Sequence, residues 1–240
     1  FNYLIFLNMK KKLIKSKYQK NYVDHYLKIN RVYPSTISLK TFLGKNPDLN
    51  LSSNDNDFSG KSILDIGFGD GRDLYLFCEL GFDVFGIEVS KKVVAHTKKK
   101  FKELGFKVNL FEGYNENTGF KKNKFDYVYS SAGLMYLKND KSSIKKTLKH
   151  VNGILKSGGY FFGTFTRYDC HIKKNSKRID KNRIILKDEF YKLREGQLYW
   201  LHNTKKEVEN DLRETGFFNC KVYNYDVNWF GTRETMYLFY

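Results

Sequence analysis

Apolar positions along the chain change period several times, and each change marks an element. From about Lys12 to Ile29, side chains at Tyr18, Tyr22, Tyr26 and Ile29 recur every three to four residues, the spacing of an amphipathic helix. Pro34 and Ser35 break it, and Thr36–Leu43 predicts a short second helix. Asn46–Gly60 is rich in Asn, Asp and Ser and reads as a loop. Beyond it strands and helices alternate. Ser62–Ile66 is a strand running into glycines, Arg72–Leu80 a helix closed by Gly81, and Phe82–Ile87 a second strand. Lys91–Leu104 is a helix closed by Gly105, followed by strands at Phe106–Phe111 and Phe125–Ser130. Asp140 or Ser142 caps a helix reaching Leu155. The turn Ser157-Gly158-Gly159 leads to a strand at Tyr160–Phe165, and Thr204-Lys-Lys-Glu207 is a capping box opening a helix that ends at Gly216. Phe217–Tyr225 and Thr235–Tyr240 are the last strands.

Strands alternating with helices of this length imply a largely parallel sheet covered on both faces, an α/β fold. The domains expected are a helical appendage over 1–60 and an α/β domain over 61–240. Residues 1–8 are read as an extension, and 166–203 as an insertion forming a substrate lid. At 240 residues the chain suffices for one well-buried domain.

Composition changes this picture little. The formal charge is +17, but 35 of the 43 basic residues are Lys and they are scattered, with short clusters at Lys10–Lys12, Lys98–Lys100 and Lys173–Arg178. A solvated lysine surface is favoured over a nucleic-acid groove. Cys78, Cys170 and Cys220 form no Cys-x-x-Cys pair and promise neither a disulfide framework nor a metal site, which favours a reducing cytosol. No run approaches the roughly 20 apolar residues needed to span a bilayer.

The chemistry is concentrated in Ile63-Leu-Asp-Ile-Gly-Phe-Gly-Asp-Gly-Arg-Asp73. Gly67, Gly69 and Gly71 form the turn from the first strand into a helix, where open α/β sheets bind ligands. The third glycine comes one residue early for a dinucleotide fingerprint, with Arg72 in its place, and no Gly-Lys-Ser/Thr follows as in a phosphate loop. Asp65 and Asp70 flank or enter the turn, and like charges about 4 Å apart repel by about 4 kcal/mol at an effective dielectric near 20. The turn therefore disfavours a pyrophosphate and favours a cation. Glu88, ending the second strand, is placed to accept ribose hydroxyls. Ribose plus a cationic tail describes an adenosyl amino acid.

These residues resemble class I S-adenosylmethionine (SAM)-dependent methyltransferases over 61–165. Asp65-x-Gly67-x-Gly69-x-Gly71 is similar to that family's first motif, and Glu88 to the acid closing the second. Phe125-Asp126-Tyr-Val128 with Ser130 and Ser131 is similar to the fourth strand, and Leu155-Lys-Ser-Gly158-Gly159 to the turn before the fifth. The resemblance implies a Rossmann-like, mostly parallel seven-stranded sheet with an antiparallel last strand. It implies SAM as cofactor, leaving S-adenosylhomocysteine, bound by Asp65, Gly67, Phe68, Gly69, Gly71, Arg72, Glu88, Val89, Tyr114, Asn115, Ser130 and Ser131. Tyr114 stands where relatives present an adenine-contacting Asp.

The acceptor is approached by exclusion. Ser130-Ser-Ala-Gly133 is not the Asp/Asn-Pro-Pro-Tyr/Phe of enzymes acting on exocyclic base nitrogens, and no Cys nearby serves carbon-5 of pyrimidines. Relatives acting on small molecules carry N-terminal helices and an insertion after the fifth strand, as this chain does. The expected acceptor is a small, anionic or sugar-like molecule. Tyr22, Tyr26, Arg167, Arg194 and Tyr199 are the expected substrate residues, and His171, His202 and Tyr136 the candidate bases. The surroundings of Tyr33-Pro34-Ser35 and Lys40–Leu43 resemble methyltransferases of bacterial surface-glycan pathways. An RNA methyltransferase and a catalytically silent SAM-binding partner subunit are the alternatives.

Overall fold

A computed structural model describes residues 20–49, 51, 57–188 and 192–240. The 1–8 extension, the Lys10–Lys12 cluster and the first part of the predicted Lys12–Ile29 helix lie outside these residues. The chain enters in helix α1 (20–28), followed by α2 (Thr36–Leu43). The elements after it run β1 (Ser62–Ile66), α3 (Arg72–Glu79), β2 (Asp83–Glu88), α4 (Lys91–Glu103), β3 (Asn109–Glu112) and β4 (Phe125–Ser130). Then come α5 (Ile144–Ile154), β5 (Leu155–Thr166), β6 (Lys177–Arg178), β7 (Arg183–Ile185) and β8 (Leu198–Trp200), and finally α6 (Lys205–Glu214), β9 (Val222–Trp229) and β10 (Thr232–Phe239).

Seven strands form one sheet in the order β3-β2-β1-β4-β5-β10-β9. The first five pair in parallel, and β10 enters antiparallel between β5 and β9. This is the expected Rossmann-like sheet. Its two faces bury separate cores, because alternate strand residues point opposite ways. Ile63 packs with Leu74, Phe77 and Phe101 from α3 and α4, whereas Leu64 and Ile66 pack with Leu148 and Val151 of α5 and Val208 and Leu212 of α6. Phe42 of α2 sits among Phe58, Phe77, Phe82 and Phe162 at centroid distances of 5.0–6.0 Å, mostly edge to face. That cluster fastens the N-terminal segment to the sheet.

Helix starts follow hydroxyl caps. Ser35, Ser90, Ser143 and Thr204 each accept the backbone N–H three residues on. The α5 cap is Ser143, not Asp140 or Ser142, which belong to the preceding turn. At α6 only half of the predicted capping box forms: Thr204 Oγ1 accepts Glu207 N at 3.2 Å, but the Glu207 carboxylate accepts from Asn203 N at 2.9 Å. Other boundaries differ from expectation. Strand β5 begins at Leu155, pairing with Phe125 before a register shift, so Ser157-Gly158-Gly159 is an irregularity within the strand and no turn before it. Phe217–Lys221 is the exit from α6, with Asn219 at φ 55° and Phe217 N bonded to Leu212 O, and β9 starts only at Val222. The 166–203 insertion carries a small antiparallel sheet, β6-β7-β8, joined to the main body by the Tyr136–Tyr199 bridge. Among the described residues no helix is long and apolar enough to cross a membrane.

Candidate functional site

The turn after β1 brings the main chain to the edge of a large cavity. Gly67 and Gly69 have φ of 79° and 56°, a region open to glycine at little cost. A Cβ at Gly69 would stand 2.6 Å from the Tyr26 ring, and one at Gly67 would stand 3.2 Å from Gly133 Cα. Gly71, beneath them, caps α3 and faces Thr97 and Phe101 of α4. The cavity measures about 880 Å³ and opens at the carboxyl ends of β1, β2 and β4, where this class of sheet takes its ligands. Such a volume suits a nucleoside-sized ligand with room to spare. Residues from 22–37 cover one side of it, and Leu193, Arg194 and Gln197 of the insertion reach another.

Four buried carboxylates, Asp65, Asp70, Asp73 and Glu88, line it, and their partners separate their roles. Asp70 is held by Arg31 through Nε at 2.9 Å and Nη2 at 2.6 Å. The chain thus answers that charge itself, which corrects the expectation that both loop aspartates await a cationic ligand. Asp73 accepts Ser35 N at 2.7 Å and Ser38 Oγ at 2.8 Å, tying α2 to α3. Glu88 accepts Val89 N on Oε1 at 2.7 Å, and on Oε2 Gly69 N at 3.2 Å and Tyr22 Oη–H at 2.9 Å. Burial pushes its pKa up, and these donors pull against that. Asp65 differs. Its carboxyl accepts no hydrogen bond among the described residues, and burial, then the charges of Asp73 and Glu88, hold its pKa well above the carboxylate range, with Arg72 opposing.

The residues present fit SAM. Asp65 is a buried acid with no hydrogen-bond or ion-pair partner among the described residues, Arg72 acting on it only from beyond ion-pair distance, and an ammonium would supply one. Gly67 offers bare main chain to a ligand, Gly69 beside it is covered by the Tyr26 ring, and Glu88 offers a carboxylate to a diol.

The structure gathers most of the predicted cofactor residues. Phe68, Arg72, Val89, Tyr114, Asn115 and Ser131 line the cavity. Tyr114 lies 4.0 Å from Lys138 Nζ, and Asn115 Nδ2 donates to Gly133 O at 2.9 Å. Ser130 is fully buried, its hydroxyl spent on Ile66 O at 2.8 Å, so it joins β4 to β1 instead of facing the cavity. Tyr22 and Tyr26, expected at the acceptor end, stand over Glu88 and Gly69 with their rings 4.8 Å apart.

Of the candidate bases, Tyr136 lines the cavity, with the Arg194 guanidinium 5.3 Å from its ring centroid. The other two lie outside its lining. His202 is fully buried beside Phe165, with Nε2 3.1 Å from Asp211 Oδ2, and His171 Nδ1 lies 2.9 Å from Arg233 O. Arg167 is paired with Asp169 at 2.9 Å, and Tyr199 is buried behind Tyr136 with its hydroxyl 2.6 Å from Thr166 Oγ1. Neither lines the cavity. Sequence reasoning missed Glu116, whose Oε1 is buried with no partner among the described residues, and the wall made by Tyr225, Trp229, Glu234 and Met236. These four lie on one face of the β9–β10 hairpin, since Met236 pairs with Tyr225. Alternation was legible there, but the register that joins the two strands was not.

The fold and this site define an α/β protein with a large cavity at the carboxyl ends of its parallel strands and buried carboxylates in its lining. Residues 63–159 match the family model described as "Methyltransferase domain". That segment, about two fifths of the chain, is similar to methyltransferase domains, and the fold is shared with a solved SAM-bound methyltransferase. A protein-L-isoaspartate O-methyltransferase of Cytophaga hutchinsonii is 31% identical over 78 residues, covering 32% of this chain and 35% of that one. An mRNA cap guanine-N(7) methyltransferase of Eremothecium gossypii is 28% identical over 138 residues, 50% of this chain and 31% of the relative. The chain thus spans about a third of the length of these curated relatives. Phosphoethanolamine N-methyltransferase 2 of Haemonchus contortus, solved with SAM, superposes with a TM-score of 0.56 at 20% identity, over 85% of this chain and 42% of that one.

Proposed function

We propose that the whole chain transfers a methyl group from SAM to an oxygen or nitrogen of a small acceptor whose reacting end is polar, sugar-like or phosphorylated. The observation that carries this reading is the covered cavity. Its cofactor end presents Asp65 and Glu88, and its far end presents Tyr136, Arg194 and Glu234 beneath elements outside the 63–159 core. When bound, SAM supplies the electrophilic methyl. The protein's part is to hold the acceptor in line and exclude water, effects worth up to about 7–11 kcal/mol. Arg194 suits an anionic group of the acceptor, and Tyr136 is the residue placed to take a proton from a hydroxyl.

A screen with labelled SAM against sugars, phosphorylated metabolites and RNA tests the reading. Transfer to a small acceptor is expected, with Tyr136→Phe lowering kcat by about 10²–10⁴ if the acceptor is a hydroxyl. Transfer to RNA alone overturns it. The RNA alternative draws on the +17 charge and on Tyr33 and Trp229, which line the cavity while largely exposed.

A further inference from the structure

A second cavity of about 470 Å³ lies under α2, against the sheet. Tyr129, Phe162, Gly163 and Leu238 line it from the sheet, and Pro47, Leu49 and the rings of Tyr223 and Tyr240 border it further out. Five of the hydroxyls that border it are engaged elsewhere. Tyr223 donates to Asp48 Oδ2 at 2.7 Å, Tyr240 donates to Asp48 O, and Tyr129 donates to Asp73 Oδ2 at 3.3 Å. Thr41 donates to Ile37 O at 2.8 Å, and Thr164 Oγ1 accepts Ala132 N at 2.8 Å. Lys40, Asn46, Asp48 and the Thr36 and Tyr225 side chains add polar atoms to the lining, and most of the surface facing the space is carbon. Water there finds few of the two to four polar partners that hold an ordered molecule, so an apolar group displaces it favourably.

This cavity adjoins the site already described: Thr36, Ile37 and Tyr225 line both. We infer that the acceptor is amphipathic, with its methyl-receiving polar end in the main cavity and an apolar chain or ring passing Ile37 and Tyr225 into the second. The inference rests on the proposed transfer reaction for the acceptor's polar end, and it adds a tail to the molecule expected there. A purely polar metabolite would leave the apolar space unfilled.

The test uses a homologous series of straight-chain primary alcohols, titrated calorimetrically into the whole protein and followed by methyl NMR. Each added methylene should raise affinity roughly fourfold until the cavity is full. The Leu238 methyls, which face the second cavity alone, should respond to short members. The Met236 methyl, which faces the main cavity alone, should respond once the chain is long enough to pass Tyr225. Thr41→Phe and Leu238→Phe each fill the space from opposite sides and should weaken the longest alcohol at least tenfold while SAM affinity is unchanged. Affinity independent of chain length, or binding untouched by both variants, overturns the proposal. So does a Met236 methyl that never moves. Failure of SAM to bind the same sample would instead overturn the transferase reading, and the alcohol series would still stand or fall by itself.

Discussion

In the proposed cofactor site, Asp65 and Glu88 differ in how each is partnered. Glu88 arrives with three donors already on it, so removing it costs the difference between those bonds and the ones a ribose would make. Glu88→Ala should weaken SAM binding by about 1–3 kcal/mol. Asp65 has no hydrogen bond among the described residues, and its raised pKa gives its contribution a pH signature. A raised acid is protonated more readily in the fold than in the unfolded chain. It therefore adds stability below the window between the ordinary value of about 3.9 and its raised value, and loses that stability as pH rises through it. SAM binding has the opposite slope, because an ammonium prefers the carboxylate. Calorimetric affinity should rise with pH through the same window in the wild type and stay flat in Asp65→Asn. A wild-type slope in that variant would remove Asp65 from the cofactor site. Gly69→Val should abolish binding outright, since φ of 56° and the Tyr26 ring 2.6 Å from the new Cβ leave no room for a side chain.

The N-terminal segment is an element whose role is set by what it grips. It meets the core at three carboxylates in sequence: Tyr22 at Glu88, Arg31 at Asp70 and Ser35 at Asp73. Asp70 is 2% exposed, and without Arg31 it would keep a buried charge with no side-chain partner. Arg31→Ala should lower stability by about 1.5–3 kcal/mol, seen as a lower urea midpoint at an unchanged slope. Arg31→Lys should lose less, keeping the charge while giving up the two-nitrogen grip. An Arg31→Ala protein as stable as the wild type would show that the Arg31–Asp70 pair adds nothing net to the hold of Phe42, Tyr22 and Ser35 on the core. The insertion behaves differently along its length. Its start, with Arg167 and His171, packs away from the cavity among partners on β9 and β10. Its end, near Arg194, reaches the cavity wall.

At the scale of the molecule, the strand order gathers the Gly67 turn, Asp65 and Glu88 at the carboxyl ends of neighbouring parallel strands, in a chain of formal charge +17. If the acceptor is small, transfer should change little with ionic strength. If RNA is the acceptor, log affinity should fall with log salt at about −0.7 per phosphate contacted on a single strand. Turnover measured across a salt series separates the two, and a steep slope would favour the RNA reading.

Local rules determined much of this protein. Strand β1 and helix α2 run as predicted because their signals, an apolar run ending in glycine and a serine cap after proline, act within a few residues. The glycine turn with Asp65 and Glu88 was legible for the same reason, since a strand–turn–helix unit and the end of the next strand carry the whole cradle. Which of two aspartates remains without a counter-charge was not, because Arg31 lies 39 residues from Asp70 and reaches it only through the packing of α1 and α2. The cavity wall on β9 and β10 was equally hidden. Alternation along β9 and β10 says that residues share a face, but only the Met236–Tyr225 register and the antiparallel insertion of β10 beside β5 decide that this face looks into the cavity. His202 shows the same limit from the other side. A histidine in an insertion reads as available chemistry, and burial against Phe165 and Asp211, fixed by contacts far apart in the chain, turns it into part of the core.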